Sequence, residues 1–148
     1  MTSPESVADF SQVQLTALVE LMLMAASADG VVSDIENRRI ARNVEKSTNG
    51  AVGAETLQNM MTTAINRIDS GDRDSRLASI KKRLRAAAAV EGALRMAIQV
   101  AFVDGKIGAR ETQFLTHAAA EFGLSSEVAL QLLAEGRTIS LAPTPPVA

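Results

Sequence analysis

A chain of 148 residues, 47% of them hydrophobic, carries enough apolar material for one packed domain and is too short for two ordinary ones. Its 15 basic and 17 acidic residues nearly cancel, which argues against a broad nucleic-acid-binding surface and leaves room only for a local basic patch. The absence of cysteine removes disulfides, thiolate metal sites and cysteine nucleophiles, and the single histidine leaves Ser-His-Asp catalysis and the usual zinc or haem ligation resting on His117 alone.

No alternating apolar and polar run of useful length occurs, and the Ala, Leu, Met, Glu, Gln and Arg content favours helix, so an all-α protein is expected. The opening MTSPESVADF has neither a positive leader nor an apolar signal core, which points to a cytoplasmic protein. Ser3, Pro4 and Glu5 make a good helix start, and helix can run from there, with a break near Ser11, to about Ala28. The apolar stretch 15–28 contains Glu20 and falls short of the ~20 residues a membrane span needs, so it reads as a core helix and no membrane insertion is expected. Asp29 and Gly30 make a turn, and Ser33 opens a helix carrying Ile35, Ile40 and Val44 that Asn49-Gly50 stops. A third helix covers 54–70 and Gly71 ends it. Asp72 or Asp74 then caps the amphipathic piece RLASIKKRL, which leads into AAAAVEGALRMAIQVAFV. A second turn at Asp104-Gly105 precedes a helix to about Phe122. Gly123 closes that helix, Ser125 caps the last one and Gly136 ends it. The domain is therefore expected over 1–136, with 137–148 as a proline-rich tail, disordered or draped on the surface.

An internal repeat is the most informative pattern. Laid over one another, MAASADGVVSDIE and QVAFVDGKIGARE match at Ala26/Ala101, Asp29/Asp104, Gly30/Gly105 and Glu36/Glu111, with Val32 and Ile107 conservative. Each copy is an apolar helix, an Asp-Gly turn and a glutamate seven residues after the aspartate. Two helix-turn-helix units related by a pseudo-twofold axis would produce this, with the apolar helices 15–28 and 92–103 at the centre. Those two helices carry Glu20 and Arg95 at equivalent positions. A buried glutamate is costly unless paired, so Glu20 and Arg95 are expected to meet across the axis.

DGVVSDIE and DGKIGARE both fit the second half of a calcium loop, but its first half is missing: Ala25 and Ser27, then Val100 and Phe102, stand where ligands belong. An ordinary EF-hand is excluded. Structure alone also accounts for the spacing, because Ser33 and Glu36 form a Ser-x-x-Glu capping box, Gly108 and Glu111 repeat the spacing with a weaker cap, and Asp-Gly pairs favour turns. The repeat does not separate these readings, since duplication copies caps as readily as ligands.

LMLMAASADGVVSDIE and MAIQVAFVDGKIGARE, followed by FLTHAAAEFGLS, resemble the tellurite-resistance protein B-like (TerB-like) family and the related amino-terminal domain of a membrane-bound DnaJ-type co-chaperone, over about 10–135. The resemblance implies an all-helical single domain of about seven helices with pseudo-twofold symmetry and a divalent cation (Ca, Mg, Mn or Zn) near the acidic turns. By the same resemblance Asp29, Glu36, Asp104 and Glu111 are the metal positions, with Asp34 an extra carboxylate. Lys106 and Arg110 depart from the family's acidic pattern and should weaken the second site.

Three other features have plain readings. The run Lys81, Lys82, Arg83 and Arg85 suits a solvated helix face, since no aromatic residue stands beside it to stack on a base. His117 could join Asp104 or Glu111 as a ligand, but a surface or partly buried histidine without a role fits a chain lacking a second one. Met22, Met24, Met60, Met61 and Met96 fall at helical spacing and read as core filler. The function expected is that of a non-enzymatic, cation-responsive interaction module with protein partners, linked by resemblance to tellurite resistance and stress. The alternative is a metal-independent, co-chaperone-like interaction domain whose acidic turns are structural.

Overall fold

The computed structural model describes residues 10–29, 34–48, 50, 52–101 and 108–141. Among them it contains helices only: α1 (Gln12–Ala26) with a 3-10 turn after it (Ser27–Asp29), α2 (Asp34–Ser47), α3 (Ala54–Ser70), α4 (Arg73–Leu84), α5 (Ala87–Ala101), α6 (Ala109–Glu121) and α7 (Ser126–Leu141). The expected helix start at Ser3, the residues 30–33 and 102–107, and the tail 142–148 lie outside the described residues.

Helix α1 begins after Ser11, at the expected break, through a capping box. Gln14 N donates to Ser11 Oγ at 3.2 Å, and Ser11 N donates to Gln14 Oε1 at 2.8 Å. The Gln14 amide also donates to the Leu84 carbonyl at 2.9 Å, tying the start of α1 to the end of α4. Ser11→Ala should lower stability by about 1 kcal/mol, read as a lower urea midpoint at unchanged slope; an unchanged midpoint would mean the box is not formed in solution.

From Ala17 to Ala26 every residue of α1 is buried, because α3, α4 and α5 pack around it and α2 and α6 close the remaining sides. A helix apolar all round belongs at the centre of a bundle. Helix α5 is the second central element, in contact with α1, α2, α4, α6 and α7. Its buried positions are rich in Ala and Gly (Ala89, Gly92, Ala93, Ala97, Ala101), short side chains that let neighbouring backbones approach. Met22, Met24, Met60 and Met61 are buried, as core filler should be, and Met96 is half-buried against the core.

Asp72, not Asp74, caps α4, accepting from Ser75 N at 3.1 Å. The junction of α4 and α5 was not legible as a break: Arg85 takes φ +71° and ψ −65°, and Ala86 N donates to the Leu84 carbonyl at 2.8 Å. This is the strained γ-turn conformation. Gly123 ends α6 with φ +85°, and Ser125 Oγ accepts from Val128 N at 3.2 Å to start α7. Helix α7 does not stop at Gly136 as expected but continues to Leu141. Gly136 is buried there without a positive φ, and a glycine left in helical conformation costs only about 1 kcal/mol against alanine.

Candidate functional site

Asp29 closes the 3-10 turn after α1, and its side chain lies outside the described residues, as does all of Asp104. Asp34 and Glu36 share the first turn of α2, Asp34 exposed and Glu36 half-buried. Glu111 stands in the first turn of α6 and is buried. Carboxylates in first turns are stabilised by the partial positive charge of the helix N-terminus. Glu36 and Glu111 are both engaged rather than free, and Gly108 at the start of α6 offers no side-chain cap. The 3-10 turn packs against α6 as well as α1, so the first repeat's turn lies beside the helix that carries the second repeat's glutamate.

A cleft of about 200 Å³ opens next to this turn, lined by Met24, Ser27, Ile68, Gly71, Arg73, Arg76 and Phe114. Its charged groups are guanidinium groups. Arg73 lies over the Phe114 ring, 5.6 Å from the centroid, while Arg76 reaches inward.

The inward target is Glu20, which is 0% exposed. Arg76 grips it bidentately, Nε to Oε2 at 2.6 Å and Nη2 to Oε1 at 2.9 Å, and Arg83 Nη2 donates to the same Oε1. The expected pairing with Arg95 is therefore corrected: Glu20 is buried and paired, but its partners come from α4. Arg76 and Arg83 are seven residues apart on α4, which packs directly on α1, so both point at one spot on it. Arg95 turns instead to Glu91 at 3.2 Å and to Glu135 of α7 at 3.1 Å. The basic run is corrected in part for the same reason. Lys81, Lys82 and Arg85 are exposed, whereas Arg83 is mostly buried and also donates to Ser79. The hydrogen bond that Arg76 donates to Glu20, reinforced by the carboxylate's charge and opposed by burial, holds the Arg76 guanidinium above its ordinary pKa. Because the shift is upward, the contribution of this cation to stability persists from neutral pH upward and is lost only in strongly alkaline solution.

His117 does not meet Glu111. Its Nε2 lies 2.7 Å from Asp74 Oδ1 on α4 and 4.0 Å from Glu121 Oε1, one turn further along α6. The spacing of His117 and Glu121 was legible in the sequence; the arrival of Asp74 was not, because it depends on how α4 and α6 pack. Among the described residues, no helix is long and apolar enough to cross a membrane.

These features define a small all-helical single-domain protein with two central apolar helices and carboxylates in the first turns of α2 and α6. The family model for tellurite resistance protein TerB matches residues 12–132, from the first residue of α1 into α7, and the chain belongs to that family. No curated protein and no solved structure matches it.

Proposed function

We propose that the protein is a non-enzymatic, cation-responsive interaction module that acts with protein partners in tellurite-associated stress. The observation that carries this reading is the family match across 12–132, which spans both Asp-Gly turns. Two further facts support it. The turn ending in Asp29 packs on α6, and α2 packs on α5, so each half of the repeat leans on the other, as a pseudo-twofold relation would require. A divalent cation bridging carboxylates there would fix the angle between the helices on either side of each turn and so shape a partner surface. With no cysteine and one histidine, the chain is poor in nucleophile-base pairs.

Calorimetric titration of chelator-stripped protein with calcium, magnesium, manganese and zinc tests the reading. Saturable binding is expected, lost in Asp29→Asn and weakened in Asp104→Asn, because Lys106 and Arg110 already oppose a cation at the second turn. Affinity unchanged in both variants would remove these aspartates as ligands.

One observation favours the metal-independent reading: Glu111 is buried and engaged at the start of α6, as a capping acid would be. That model predicts partner capture insensitive to chelator, whereas the cation model predicts its loss.

A further inference from the structure

The geometry points to a second cation site, made by residues other than those of the Asp-Gly turns, at which Asp74 of α4 and His117 and Glu121 of α6 take a zinc-like divalent ion between the two helices. One ligand atom from each residue, the His117 ring nitrogen and one oxygen of each carboxylate, falls within 4.8 Å of the others. Bonds of about 2.0–2.1 Å at tetrahedral angles would set neighbouring donor atoms about 3.3 Å apart. The observed separations from His117 Nε2, 2.7 and 4.0 Å, bracket that value, so small side-chain rotations suffice. All three side chains are exposed, which gives an ion a route in and leaves room for water as the fourth ligand.

Asp72 holds the cap of α4, leaving Asp74 outside the cap, and Glu121 sits in the last turn of α6, where the helix dipole disfavours an anion and no basic residue stands in that turn. An imidazole beside two carboxylates selects zinc and its transition-metal neighbours over calcium or magnesium, which prefer oxygen alone.

The chain's single histidine makes the test direct. In untagged full-length protein, the imidazole proton resonances are followed by NMR while zinc chloride is added. A saturable shift at one equivalent is expected, with apparent affinity reduced at least about tenfold, or 1.4 kcal/mol, in Asp74→Asn and in Glu121→Gln. Both positions are exposed, and melting without metal confirms that the variants fold. An imidazole that does not respond, or that responds equally in the double variant, overturns the site. Asp29→Asn with Asp104→Asn separates it from the turns: the shift must persist there, and its loss would place the ion at the turns instead.

Discussion

Glu20→Ala is expected to destabilise the protein by roughly 3 kcal/mol, the lower end of the range for removing one partner from a buried ion pair. The glutamate is wholly buried and answers two guanidinium groups. Removing its carboxylate leaves both cations facing an apolar cavity with no counter-charge. Arg76 and Arg83 retain 20% and 17% exposure, enough for partial rehydration, which is why the lower end applies. For a chain of this length the loss corresponds to a fall in Tm of roughly 10 °C. Far-UV circular dichroism is the probe, because the chain lacks Trp and Tyr. Glu20→Gln should lie between wild type and alanine, since the amide oxygen still accepts a hydrogen bond but carries no charge. A combined Glu20→Leu, Arg76→Met, Arg83→Met variant should recover much of the stability, because no charge is then left buried. If Glu20→Ala melts like wild type, the triad is not closed in solution.

Leu18→Ala should cost about 3 kcal/mol, within the 2–5 kcal/mol spread of buried leucine truncations. Leu18 is 0% exposed in a helix enclosed on all sides, so no solvent-facing wall can collapse freely into the space left behind. The midpoint of urea unfolding should fall with its slope unchanged. Val13→Ala, on the same helix but 54% exposed, serves as the control and should change stability by less than about 0.5 kcal/mol. Equal losses in the two variants would mean that α1 is not the central helix.

Much of the helix layout was legible because it is written in short-range chemistry. Helix α3 falls on the expected 54–70, Asp72 caps α4 and Gly123 closes α6, each determined by a few neighbouring residues. The centrality of α1 was equally legible, since a segment apolar on every face has no solvent-exposed alternative. The family followed from the doubled Asp-Gly pattern, and Asp29, Asp34, Glu36, Asp104 and Glu111 could be named from spacing and resemblance. Within the described residues, the structure brings Asp34 and Glu36 into one turn and buries Glu111 at the head of α6.

Interactions between helices distant in sequence were another matter. Burial of Glu20 and its need for a cation could be read from an apolar helix with one acid in it. Its partners could not, because the repeat favoured Arg95 by symmetry while packing delivered Arg76 and Arg83. Gly136 stays helical because its environment, not its intrinsic preference, decides the conformation. Asp74 meets His117 for the same reason. Caps, turns and amphipathic faces depend on residues within about one helical turn of each other, and local sequence therefore specifies them. Which charged side chains share a buried or inter-helical space depends on the packing of α1, α4 and α6, and only the folded chain brings those groups together.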